Sequence, residues 1–224
     1  MRIIVYIILF LLSSLFFSCQ KENEYEVNKE KFVTNVKTPR FTPKIPEKVT
    51  VNEYIDWVSS YSGFNDFKSI AGINYALSYR PAEAIAIQKL KNGKITKESI
   101  EKISNELEGV NYFVLRLSTN DGCPVLEKNL SVKEEYFQRI QYYSFLMEND
   151  VFLIDGADTI KCCFYNFERD YEVSPFLTVT LGFDDIAKSD NYQFVLIDKV
   201  FNNGKVIFSI DRKLQKAKPI INLE

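Results

Sequence analysis

Hydrophobic and polar positions recur along this chain with two periods, and the two periods predict different elements. At period two, Ile73, Tyr75, Leu77 and Tyr79 share one face, so Ile70 to Tyr79 predicts a strand. Thr50-Val51-Asn52-Glu53 reads as a capping box, opening a short helix through Tyr54, Trp57 and Val58. Pro81 suits the first turn of a helix over Ala82 to Leu90, although Ala84-Ile85-Ala86-Ile87 would also serve as a strand. From Thr96, the spacing of Ile100, Ile103 and Leu107 predicts a helix with Gly109 as its C-terminal cap. Val110 to Leu117 then reads as a strand. A second capping box, Ser131-Val132-Lys133-Glu134, predicts a helix carrying Tyr136, Phe137 and Ile140 that gives way to strand near Tyr142.

Beyond that point the strand period dominates. Tyr142–Met147 and Val151–Ile154 flank Glu148-Asn149-Asp150 as a hairpin-like pair. Thr159–Phe167, Phe176–Phe183, Tyr192–Asp198 and Val206–Ile210 follow, the last two joined through Asn203-Gly204, a strong hairpin signal. Antiparallel hairpins, not parallel crossovers, prevail in this half. The prediction is an α+β fold. An antiparallel sheet or sandwich fills the C-terminal half, with a mixed helix and strand portion before it, in one domain spanning residues 50–224.

The N-terminus follows neither period. Arg2 precedes an apolar run from Ile3 to Phe17, interrupted only by Ser13 and Ser14, and Ser18, Cys19 and Gln20-Lys21-Glu22-Asn23-Glu24 follow. A basic start, an apolar stretch and a small residue before a cut are the marks of a secretory signal. As a helix, Ile3 to Ser18 would rise only about 24 Å, short of the roughly 30 Å hydrocarbon core. The segment Leu15-Phe16-Phe17-Ser18-Cys19 resembles the lipobox of bacterial lipoproteins, with Ser18 as the small residue and Phe16 where that family usually has Leu. The resemblance implies cleavage after residue 18, a diacylglyceryl thioether on Cys19 and, usually, an N-acyl chain. Two or more chains anchor stably, at about 0.8 kcal/mol per buried CH₂. Gln20 is not the Asp associated in that family with inner-membrane retention. The resemblance therefore implies an outer-membrane protein on the cell-surface or periplasmic face. The polar run after Cys19 also looks like the export tag of some surface lipoproteins.

Residues 19–49 read as the lipidated cysteine and a flexible tether, rich in Lys, Glu and Asn and then in proline at positions 39, 43 and 46. Val33, Val36, Phe41 and Ile45 offer an alternative in which part of it lies along the domain as an edge strand.

Composition then narrows the chemistry. Of 224 residues 46% are apolar and 26% charged, enough for a real core, and the net charge of −2 leaves no electrostatic footprint for nucleic acid. Arg212, Lys213, Lys216 and Lys218 read as a solvated end of the chain. The sequence contains no histidine, which removes Ser-His-Asp and Cys-His catalysis and most zinc sites. With eight glycines and no glycine-rich phosphate loop, nothing implies a nucleotide or other cofactor. Asp155-Gly156-Ala157-Asp158 and the group Asp184, Asp185 and Asp190 invite a calcium reading but lack EF-hand spacing, and turns are the simpler reading.

With Cys19 lipidated, Cys123, Cys162 and Cys163 remain, an odd number. Neighbours on a strand face opposite sides, so only one of Cys162 and Cys163 can meet Cys123. A bridge from Cys123 and three unbridged thiols both fit. Among 18 Phe, 13 Tyr and one Trp, the densest mixed stretch is Phe164 to Tyr171. Tyr165, Glu168, Arg169 and Tyr171 are its candidate interaction patch, against the plainer reading of a strand running into a charged turn.

Together these features predict a lipid-anchored envelope protein with a binding or assembly role, its partner an envelope protein, a glycan or a host molecule. Alternatives are a surface hydrolase using paired carboxylates on glycan, or an inhibitor or immunity lipoprotein. Cys19→Ser is expected to abolish metabolic labelling of the protein by a fatty acid. Undiminished labelling would exclude the anchor.

Overall fold

The computed structural model describes residues 44–168, 175–186 and 188–223. Cys19, Arg169, Tyr171 and the signal segment lie outside the described residues. Eight strands form one sheet, antiparallel at every pairing. A short entry strand, β1 (Lys48–Thr50), stands apart from it. The hairpin β2 (Asn65–Ile70) and β3 (Ile73–Arg80) turns on Ala71 and Gly72, both at positive φ as a two-residue hairpin loop requires. β4 (Val110–Thr119) pairs next to β3. A meander of β5 (Val151–Asp155), β6 (Asp158–Glu168) and β7 (Leu177–Asp184) then folds back, so that its last strand lies beside β4. The strands β8 (Asn191–Asp198) and β9 (Gly204–Asp211) continue beyond β5, giving the order β2-β3-β4-β7-β6-β5-β8-β9.

Twist carries this sheet round until its two ends approach, a near-closed barrel. Period-two alternation fills the inside: Ile73, Tyr75 and Leu77 from β3, Phe113, Leu115 and Leu117 from β4, and Leu177, Val179, Leu181 and Phe183 from β7 are all buried. Phe194 sits at the centre, its ring 5.8 Å from Phe113, 5.9 Å from Phe183 and 6.0 Å from Phe208. Each such side chain contributes about 1.5–3 kcal/mol on leaving water.

The ends of the sheet meet through side chains. The Tyr75 hydroxyl donates to the buried Asp198 carboxylate at 2.5 Å, and the other oxygen of Asp198 accepts the Val200 and Phe201 amides, each at 3.1 Å. The Asn203 amide donates to the Tyr75 hydroxyl at 2.8 Å and to the Ile70 carbonyl at 3.4 Å. Lys68 of β2 lies over the Phe208 ring of β9 at 5.7 Å.

One end of the barrel carries a second core. The predicted capping box of Thr50 and Glu53 opens α1 (Val51–Ser60). With α2 (Ala82–Lys89) and α3 (Lys97–Glu106) this helix buries Tyr54, Val58, Ala86 and Ile100. Tyr79 joins the two cores, its ring 5.3 Å from Phe64 and 5.5 Å from Phe113. Val49 and Ile45 also pack here, and β1 pairs in parallel with β10 (Ile220–Asn222). The folded unit therefore begins before Thr50 and takes the last residues of the expected tether. Of the late basic residues, Lys213, Lys216 and Lys218 are exposed as expected, whereas Arg212 is half-buried. Asp211 caps α5 (Arg212–Lys216), Arg212 pairs with Asp185, Lys213 with Asp190 and Lys218 with Glu83.

The opposite end is closed by α4 (Lys133–Phe145), and here the structure corrects two expectations. The N-cap is Val132 without a side-chain bond, and Glu135, not Glu134, reaches back to accept the Ser131 amide at 3.0 Å. The residues from Tyr142 onward stay helical, then tighten into a 3₁₀ turn over Met147–Asp150 instead of opening a hairpin. Helical spacing is what buries Tyr143 and Met147 together under the barrel end. Arg139 fixes the helix there, its Nη1 donating to the carbonyls of Val125, Leu126 and Lys128 at 3.3, 3.2 and 2.6 Å.

Tyr75→Phe leaves Asp198 and Asn203 each short of a partner in a buried site, and is expected to cost about 1–3 kcal/mol. Phe67→Ser on the exposed face is expected to stay within about 0.5 kcal/mol. Urea unfolding measures both; an unchanged midpoint for Tyr75→Phe would show that the seam contributes nothing.

Candidate functional site

The alternation that fills the barrel also determines what faces out. On β3, β4, β7 and β6, which are neighbours, the register aligns the outward residues into rows. Ser78, Val114, Thr180 and Asn166 form a middle row. On one side of it lie Arg80, Tyr112, Gly182 and Phe164, and on the other Ala76, Arg116, Thr178 and Glu168. Phe67 of β2 extends the second row, and Phe176 flanks it, its ring 5.3 Å from the Arg116 guanidinium carbon. Small and hydroxyl- or amide-bearing side chains thus floor a shallow trough bordered by aromatic rings and arginines. Solvent reaches it: Phe67 is 59% exposed and Phe164 and Phe176 are each 46% exposed.

Gly182 makes one border. A Cβ there would meet the Phe164 Cβ at 2.9 Å and the Val110 Cγ1 at 3.0 Å. Without it, Tyr112 of β4 and Phe164 of β6 lean together across β7, edge to face at 6.0 Å. Arg80 and Arg116 supply the charge. They stand on adjacent strands with the small Ser78–Val114 pair between them. Burial, and next the like charge of Arg116, lowers the Arg80 pKa, with the Glu168 carboxylate acting the other way. Glu168 itself accepts the Thr180 hydroxyl at 3.2 Å. Among the described residues neither arginine has a carboxylate within ion-pairing distance.

The residues singled out in sequence are divided by the sheet. Glu168 belongs to the trough. Tyr165, three residues earlier, faces the interior, where its hydroxyl donates to the Tyr143 carbonyl at 2.5 Å. A bulge between Cys162 and Phe164 causes this: one extra residue shifts the alternation, so that Cys162, Tyr165 and Phe167 all point inward. Arg169 and Tyr171 lie outside the described residues. Sequence reading passed over Arg80, Arg116, Tyr112 and Gly182, because their only signal was a place opposite the apolar face of strands whose partners were unknown.

The three remaining cysteines are unbridged. Cys162 pairs in register with Phe183, which faces Asn111 at the start of β4, whereas Cys123 follows Thr119 at the strand's other end. Eight residues of strand, about 26 Å, separate those positions, so the candidate bridge from Cys123 to either neighbour does not form.

The buried or loop carboxylates hold the scaffold together. Asp155 accepts the Lys188 amide at 2.5 Å and the Ser189 amide at 3.2 Å, which makes Asp155-Gly156-Ala157-Asp158 a braced turn. Asp185 binds Arg212 and accepts the Asn111 amide at 3.0 Å, and Asp150 pairs with Lys199 at 2.7 Å and with the Tyr142 hydroxyl at 2.9 Å. Among the described residues no three Cys, Asp or Glu side chains converge as a metal-ligand set, and no helix is long and apolar enough to cross a membrane.

Two other surfaces stand out. A cleft of about 340 Å³ beside α1 and α3 is lined by Tyr54, Ile100 and Lys218. Phe137 and Phe145 are exposed along the outer side of α4. No protein-family model, no curated protein and no solved structure matches this chain.

Burial pushes the Cys162 thiol up to about 11, with nearby charges on Cys163 and Glu148 adding to it. At pH 8 its alkylation by iodoacetamide is expected to be roughly 10–100-fold slower in the folded protein than in urea. Peptide mass spectrometry reads the rate; equal rates folded and unfolded would contradict the inward placement.

Proposed function

We propose that this chain is a lipid-anchored, non-catalytic binding protein of the cell envelope that presents the outer face of β3, β4, β7 and β6 to its partner. The observation that carries this reading is the trough itself. Exposed phenylalanines, and arginines without an ion-paired carboxylate among the described residues, add little to the stability of the barrel, whose core is on the other face of the same strands. Surfaces that recognise partners are enriched in aromatic residues and arginine. The strands concerned are all internal to the sheet, so recognition falls to side chains and not to added backbone pairing. The lipobox-like segment at Cys19 supports the anchor, and a domain held at a membrane surface meets its partners in two dimensions.

The scaffold role of Asp150, Asp155, Asp185 and Asp198 favours binding over carboxylate-based hydrolysis, which needs two carboxyl groups facing each other across a cleft.

A photo-crosslinking residue in place of Asn166 tests the surface in intact cells expressing the full chain. Discrete adducts are expected from position 166 and not from position 141, on the outer side of α4. Adducts of equal yield from both positions, or none from 166, would overturn the assignment of the sheet face.

A further inference from the structure

We propose that the trough binds a carboxylate-bearing saccharide, its acidic group held by Arg80 and Arg116 and its ring faces laid against Phe164 and the neighbouring aromatics. The inference rests on the sheet face being the binding surface and adds the chemistry of what is bound.

Charge comes first. Among the described residues, two guanidiniums and one carboxylate, Glu168, stand on the strip. That makes its described part net positive on a chain whose net charge is −2. Arg80 is half-buried, and Arg116, on the next strand beyond the Ser78–Val114 pair, acts on it as a like charge. Two arginines that repel each other, with Glu168 close enough to act on Arg80 but no carboxylate of the described residues in an ion pair with either, form an arrangement that a further anion stabilises. A planar guanidinium matches a carboxylate in a two-point fork, which a lysine does not reproduce.

The floor and borders then select among anions. Ser78 and Thr180 offer hydroxyls and Asn166 an exposed amide, groups that exchange hydrogen bonds with sugar hydroxyls. Phe67, Phe164 and Phe176 present flat apolar faces on both sides of that polar floor. A small inorganic anion has no use for such faces. An acidic peptide would gain most from pairing with a free strand edge, and every strand of the floor has a neighbour on both sides. A saccharide alternates apolar C–H faces with hydroxyls, and a carboxylate on it completes the match.

Full-length protein in detergent micelles, titrated by calorimetry, tests this. The probes are an oligogalacturonate, a sialylated oligosaccharide, the neutral counterpart of each, and inorganic phosphate. At least one acidic saccharide is expected to bind, with its neutral counterpart and phosphate about tenfold weaker or more. Arg116→Ala and Arg80→Ala are each expected to lose about tenfold or more, Arg116→Lys to recover only part, and Phe164→Ala to weaken binding with the unfolding midpoint unchanged. Affinity should also fall as salt rises.

Equal affinity for acidic and neutral probes, or arginine variants that bind as the parent does, would overturn the proposal. So would the absence of binding to every saccharide. In that last case the crosslink from position 166 separates the causes. A protein adduct there would leave the surface standing with a protein partner, and no adduct would remove the surface as well.

Discussion

The constraint that organises this molecule is closure of the sheet by the Tyr75–Asp198 hydrogen bond, with Asn203 bound to the same hydroxyl. A twisted sheet of eight strands has two edges and one apolar face to bury. Curling brings the first hairpin against the last and encloses Phe113, Phe183, Phe194 and Phe208 in one cluster. Because the contact between the ends runs through side chains, its polar groups must be satisfied inside a dry region. Asp198 achieves this by accepting a phenol and two amides. The remaining architecture follows from that enclosure: α4 seals one mouth of the barrel, and the three helices with their own small core cover the other.

Closure also explains where the proposed binding surface has room. With the inner face full and both mouths covered, the outer face of β3, β4, β7 and β6 is left to solvent. Its character is set by single residues. Gly182 lets two aromatic rings meet over one strand, and the bulge at Cys163 turns Phe164 outward and Tyr165 inward. Had the strand continued in phase from Cys162, the next outward-facing aromatic would have been Tyr165.

Much of the fold was legible from periodicity. The strands of the second half, the Thr50 cap and the α+β class follow from alternation and turn chemistry, and the structure has them. The first strand of the sheet escaped notice because its inward residues are Asp66, Lys68 and Ile70, a polar set that suits a seam and imitates a loop. Tyr142 and Tyr143 have strong strand propensity, yet burial of Tyr143 and Met147 one helical turn apart outweighed it. The site was the least legible part. Its residues come from five strands spread between positions 67 and 182, and only the sheet order brings them together. Glu168 and Phe164 fell within the aromatic stretch singled out in sequence, while Arg80 and Arg116 had no local signature at all.

The order of the strands has a further consequence, in time and not in space. β4 meets its second neighbour only when residues 177–184 exist, and Tyr75 meets Asp198 across 123 residues of chain. Until the last hairpin has been made, the first three strands keep an open edge and an uncovered apolar face. A chain of such connectivity folds late and as a whole, since loop closure must come before most of its contacts. For a polypeptide emerging from the ribosome, that delay means the barrel has nothing stable to form until its last hairpin has been made.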